Sequence, residues 1–156
     1  MDSKYAKAKL DYLDSLFHDF ENQKLDDYVM SHIAKYLTVL CSGIYEDIVK
    51  DFLIEFTQKN TSNIQIKDFL FIQIKRGIRN PTFKNIKEFL NRFDKSWTRS
   101  LNKKISEIHK EALNSIVNNK NLIAHGESST ITFPDLRENY TKSKEIFIEL
   151  DKIILS

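Results

Sequence analysis

The chain has 156 residues, 41% of them apolar, one cysteine and a formal net charge of +2. A domain of that length buries enough surface to fold without disulfides or a structural metal, and a lone Cys41 excludes a disulfide framework within the chain. The amino-terminal stretch MDSKYAKAKLDYLD is charged throughout, unlike a secretory signal, and the longest uncharged run, YLTVLCSGIY, is half the ~20 residues that a membrane-spanning helix needs. The expectation is one soluble cytoplasmic domain over residues 1–156 that engages no membrane.

Glycine and proline are scarce, with three and two residues respectively, where average usage is about 12% of a chain. Few breakers means few turns and long helices. The charge is unevenly spread. Residues 59–110 carry 13 basic and 4 acidic side chains, net +9, whereas residues 1–58 are net −5 and residues 111–156 net −2. A middle third of that sign is a candidate surface for a polyanion; lysines on solvated faces account for it equally well.

In chain order, Tyr5, Leu10, Leu13, Leu16, Phe17 and Phe20 fall at helical spacing over residues 4–22. Asp26 or Asp27 is placed to cap a second helix over 27–58, with Val29, Ile33, Tyr36, Leu37, Leu40, Ile44, Ile48, Phe52 and Phe56 on its apolar stripe. IQIKDFLFIQIKRGI suits a strand nearly as well as a helix. A helix is expected, because STITF alone offers a partner strand. RGIRNPTF is a turn punctuated by Gly77 and Pro81, and TFKNIKEFLNRF a short helix. DKSW reads as a loop, followed by one long helix over 99–124 on Leu101, Ile105, Ile108, Ala112, Leu113, Ile116 and Val117. Gly126 is suited to stop that helix, since glycine tolerates the left-handed conformation. After the polar loop GESSTIT, Thr132, Pro134 and Asp135 have the chemistry of a helix start, and the last helix runs to about 154. The expected fold is all-α: a four-helix up-and-down bundle with additional short helices.

Several chemistries lack their residues. No two of His18, His32, His109 and His125 stand at three- or four-residue spacing, and one cysteine makes no zinc cluster. There is no glycine-rich phosphate loop and no nucleophile elbow. Asp26–Asp27 and Glu46–Asp47 are adjacent on a helix and so diverge. Eleven phenylalanines and six tyrosines could stack on RNA bases, but most fall on apolar stripes and read as core.

NNKNLIAHGESST, residues 118–130, is different. Asn121 and His125 are four apart and share a helix face, and Lys120 is adjacent. A helix C-terminus favours a cation, which supports the imidazolium form of His125. Histidine changes charge near neutral pH and can give or take a proton, a lysine can hold a phosphate oxygen, and an asparagine can orient either group. That set suits general acid–base chemistry on a phosphodiester whose attacking hydroxyl comes from the substrate, as the 2′-hydroxyl of RNA does. The bland alternative is a helix end with its usual cations.

The string Lys120-Asn121-Leu122-Ile123-Ala124-His125-Gly126 resembles the signature of the HEPN superfamily, often Arg-Asn-x-x-Ala-His-Gly. IYEDIVKDFLIEF in the second helix and NPTFKNIKEFLNRF before the motif helix are similar to its RiboL-PSP and MAE-type groups, and the resemblance spans roughly residues 30–155. It implies a four-helix bundle that forms a homodimer with two motifs facing each other. It also implies cofactor-free, metal-independent RNA cleavage leaving a 2′,3′-cyclic phosphate, usually in toxin–antitoxin or phage-defence systems with a partner protein such as an antitoxin. Carried over, His125 is the acid or base and Asn121 the polar helper. Lys120 stands where the family has arginine, and lysine lacks the planar fork that fits a phosphate. Either Lys120 does the work more weakly, or Arg76 or Arg79 supplies the fork, or the domain is a non-catalytic module that binds RNA or a protein partner.

Overall fold

Seven α-helices and no strand make up the structure, a computed structural model that describes residues 1–156. They are α1 (Lys4–Glu21), α2 (Asp27–Asn60), α3 (Ile64–Gly77), α4 (Phe83–Leu90), α5 (Lys95–Lys104), α6 (Glu107–Ala124) and α7 (Phe133–Leu155). With so few glycines and prolines, side-chain caps decide where helices begin. Asp26 accepts the Val29 N–H at 2.9 Å and starts α2. Thr132 accepts the Asp135 N–H at 3.2 Å, and the Asp135 carboxylate accepts the Thr132 N–H at 3.3 Å. These reciprocal bonds satisfy donors that a helix start leaves open.

The expected single helix over 99–124 is two helices, and DKSW opens the first of them. Asp94 caps α5 by accepting the Ser96 N–H at 2.6 Å. The chain then turns extended at Ile105, with φ −104° and ψ 123°, and restarts at Ser106. There the Nδ1 of His109 accepts the Ser106 N–H at 3.3 Å. The apolar series Leu101, Ile105, Ile108 keeps helical spacing across the break, so periodicity alone does not reveal it. Ile108 is exposed as a result, while Leu101 and Ile105 are buried.

α2, α6 and α7 pack on one another, and α1 lies along α2. Leu37, Ile48, Phe52, Leu113, Ile116, Val117, Ile146 and Leu150 are completely buried among them, each contributing roughly 1.5–3 kcal/mol. The Ser42 and Thr57 hydroxyls are buried without a partner, but the larger polar groups of this core are paired. The Tyr45 hydroxyl lies 2.7 Å from Ser143 Oγ, and its ring stacks on Phe147 at 4.3 Å. Tyr140 donates to Asp14 at 2.7 Å and stacks on Phe17 at 4.5 Å. Burial pushes both tyrosine hydroxyls well above their ordinary range, and does the same to the Cys41 thiol. At the amino terminus, the buried Asp151 carboxylate on α7 accepts the N–H of Asp2 at 2.6 Å and of Ser3 at 2.9 Å.

α3 is a helix, as the want of a partner strand predicts, but Ile74 is the one residue in it that is buried. Ile64, Ile66, Phe69, Phe71 and Ile72 face solvent. On α2, Val29 and Tyr36 also lie on the outer face rather than on the expected inward stripe. No helix is long and apolar enough to cross a membrane.

Candidate functional site

The carboxyl-terminal end of α6 carries Lys120, Asn121 and His125. His125 is the last residue of the helix turn, and its N–H donates to the Asn121 carbonyl at 3.1 Å. Gly126 follows with φ +73°, the left-handed conformation that suits glycine. The Glu127 N–H then reaches back to the Leu122 carbonyl at 2.8 Å, and the Gly126 N–H to Ile123 at 3.1 Å. Both bonds belong to the double closure of a Schellman motif. Ser129 donates to the Asn119 side chain at 2.8 Å, tying the following loop back to α6. The backbone on each side of His125 is thereby fixed, while its imidazole is exposed.

Lys120 is half-buried and its ammonium is held by two amide oxygens. It donates to Asn80 Oδ1 at 2.7 Å and to Asn121 Oδ1 at 3.3 Å. No carboxylate neutralises it. An ammonium has three N–H donors, so one remains for a substrate oxygen. With Oδ1 facing Lys120, the N–H donors of the Asn121 amide are also left free.

Asn80 is the residue that sequence reasoning missed. It lies in the α3–α4 turn with φ +51°, a left-handed conformation that asparagine tolerates better than most residues. Its carbonyl accepts the Thr82 N–H at 2.7 Å and the Asn85 amide at 2.8 Å. The turn is docked on α6 a second time where Asn114 accepts the Phe83 N–H at 3.0 Å. The available signal was the Asn80–Pro81 pair, which marks a turn; its partner forty residues on was not legible.

Of the two arginines proposed as substitutes for a forked donor, Arg79 precedes Asn80 in the chain and lines a hollow with Asn85, Glu88 and Arg92; no contact joins it to Lys120. Arg76 lines a separate cleft between α3 and the end of α4, with Phe69, Phe89 and Arg92. No group of three or more histidine, cysteine, aspartate or glutamate side chains is placed to hold a metal ion.

The arrangement joins an exposed histidine on a fixed backbone, a cation with no counter-charge inside the chain, and an oriented amide. It is suited to holding a phosphate group and moving a proton beside it. The RiboL-PSP-HEPN family model matches residues 4–156, nearly the whole chain. Neither a curated protein nor a solved structure matches it significantly.

Proposed function

Because the chain belongs to the RiboL-PSP-HEPN family, we propose that it is a metal-independent endoribonuclease, acting as a homodimer in the cytoplasm as a toxin or phage-defence effector. One observation carries this reading: the ammonium of Lys120, unpaired with any carboxylate, sits 3.3 Å from Asn121 Oδ1, one turn before the exposed His125. In the proposed reaction a base takes the 2′-hydroxyl proton of RNA and the freed oxygen attacks the adjacent phosphorus. The 5′-oxygen of the next nucleotide then leaves with a proton from an acid. The products are a 2′,3′-cyclic phosphate and a 5′-hydroxyl. Lys120 and the Asn121 amide would hold the phosphate oxygens as charge builds on them.

This reaction needs a base and an acid at once, and one chain offers one histidine in the motif. A two-fold dimer would supply His125 from each subunit, one in each role. Light scattering at working concentration checks this, and a monomer counts against the catalytic reading.

A second reading has its own support. Two of three ammonium donors on Lys120 are already taken by Asn80 and Asn121, as expected where lysine ties a turn to a helix. On that reading the domain binds RNA or a protein partner, such as an antitoxin, without cutting. Incubation with mixed cellular RNA in excess EDTA, beside His125→Ala, separates the two. Cleavage by the parent alone is the expected result. Intact RNA with both proteins, from a dimeric sample, overturns the nuclease.

A further inference from the structure

The cleft lined by Arg76 lies outside the Lys120 cluster. It encloses about 550 Å³ between α3 and the end of α4, within the range of small-molecule sites. From α3, Phe69, Gln73 and Arg76 enter it at helical spacing; from α4 and its end come Phe89, Arg92 and Phe93. The Phe69 ring is 61% exposed, though nine of the chain's eleven phenylalanines are buried or half-buried. The Arg92 guanidinium is held over the Phe89 ring, 5.8 Å from its centroid.

Neither arginine is neutralised. The one arginine of the chain in a salt bridge is Arg137, 3.8 Å from Glu21. The cleft also continues. Gly77, Phe89 and Arg92 line a second hollow that reaches Arg79, with Glu88 as its one acidic residue, and Glu88 has a partner in Lys84 at 3.8 Å. Uncompensated arginines therefore line both hollows, and the chain passes directly from Arg79 to Asn80, the partner of Lys120.

We propose that this cleft is a nucleotide subsite for single-stranded RNA, seating one unpaired base against Phe69 and its phosphate between Arg76 and Arg92. The choice of RNA rests on the reading above; the cleft's chemistry stands apart from cleavage. A stacked base requires an open π-face, which Phe69 offers, and arginine supplies the planar fork that Lys120 lacks. The strand would then run past Arg79 towards Lys120, so that bound RNA is gripped beside the bond to be cut.

The test is fluorescence anisotropy of a labelled 12-nucleotide RNA of mixed sequence, using the full chain with His125→Ala so that no RNA is consumed. In that background, Arg76→Gln with Arg92→Gln is expected to weaken binding about tenfold or more and to lower the salt-dependence slope by about 0.7, the value for one phosphate of a single strand. Phe69→Ala is expected to cost about tenfold, and the same sequence as a duplex to bind worse by a similar factor. Lys103→Gln, an exposed cation on α5 away from the cleft, is the control and should change affinity less than twofold.

Equal losses for Lys103→Gln and the arginine pair, or equal binding of duplex and single strand, overturn the subsite. So does a switch from dimer to monomer on Phe69→Ala, since the ring would then belong to a subunit contact. If the cleft variants bind as the parent while the His125-bearing protein cuts RNA, the subsite fails and the nuclease stands. Cleft-dependent binding with no cutting by the parent supports the subsite and overturns the nuclease.

Discussion

The α1–α2–α7 interior and the face made by α3, α4 and the end of α6 treat polar groups in opposite ways. In the interior Tyr45 pairs with Ser143, Tyr140 with Asp14 and Asp151 with two backbone N–H groups, leaving the Ser42 and Thr57 hydroxyls without a partner. On the other face, Arg76, Arg79, Arg92 and Lys120 have no carboxylate partner, and an aromatic ring stands open. Buried groups left unpaired are costly, so the interior spends its hydrogen-bonding capacity on itself. A surface that must hold another molecule keeps donors in reserve. An anion that reaches the α3–α4 face therefore meets donors that no group of the chain has taken.

The largest effect should come from breaking the interior. Asp151→Ala removes the acceptor for the Ser3 N–H, which is fully buried. The expected loss is about 2–3 kcal/mol, or roughly 5–10 °C in melting temperature for a chain of this size, with RNA cleavage per folded molecule unchanged. A melting temperature within 1–2 °C of the parent would mean that this end frays without cost.

Asn80→Gly comes next and addresses the other face. Glycine keeps the left-handed backbone at φ +51°, so stability should move by less than ~1 kcal/mol. The amide that positions Lys120 is lost. Cleavage is expected to fall about tenfold in kcat, with KM nearly constant, because a positioned cation acts mainly on the developing charge. An unchanged kcat would make Asn80 a turn residue only. Asn80→Asp, which keeps the acceptor but neutralises the ammonium, should not rescue kcat, whereas a purely structural role would tolerate it.

Tyr45→Phe is milder, since the stacked ring remains and one hydrogen bond is lost, at about 1 kcal/mol near neutral pH. It has a pH signature. Burial raises the Tyr45 hydroxyl above its unfolded value, so the folded chain keeps a proton that the unfolded chain releases. Stability from that group is full below pH ~10, the unfolded value, and is lost as pH rises beyond it. Denaturant titrations of the parent should show stability falling steeply above pH ~10, and Tyr45→Phe should flatten that fall. Parallel curves would place the alkaline loss on Tyr140 instead.

The two faces also differ in how much of them could be read from sequence. Caps are local, so Asp26, Thr132 and Gly126 marked helix ends correctly from their neighbours. Lys120, Asn121 and His125 lie at the same end of α6, so their juxtaposition was equally legible. What failed required tertiary information. The Ile105–Ser106 break hides within unbroken apolar spacing and has no glycine or proline to mark it. α3 has the composition of a core helix, yet its apolar residues stay outside because it packs chiefly on α2. Asn80 meets Lys120 only because the α3–α4 turn is docked on α6 by Asn114. Arg76 and Arg79 looked interchangeable in sequence, but the fold puts Arg76 in the aromatic cleft and Arg79 in the smaller hollow beside it.

That separation sharpens the smallest prediction, Lys120→Arg. If an arginine fork is all the site lacks, the substitution should raise cleavage by about three- to tenfold, the gain expected when a point charge is replaced by a bidentate donor. Lys120, however, is seated by two amide oxygens at 2.7 and 3.3 Å, a geometry set for a compact ammonium. A guanidinium is broader, and with Asn80 in place it must give up one contact. The expected gain is therefore small with Asn80 present and larger in Asn80→Gly, where the turn no longer crowds the head group. Measured as a double-mutant cycle, the two substitutions should show positive coupling in kcat. Additive effects would mean that Asn80 does not select lysine, and the forked contact would then have to be sought at Arg79.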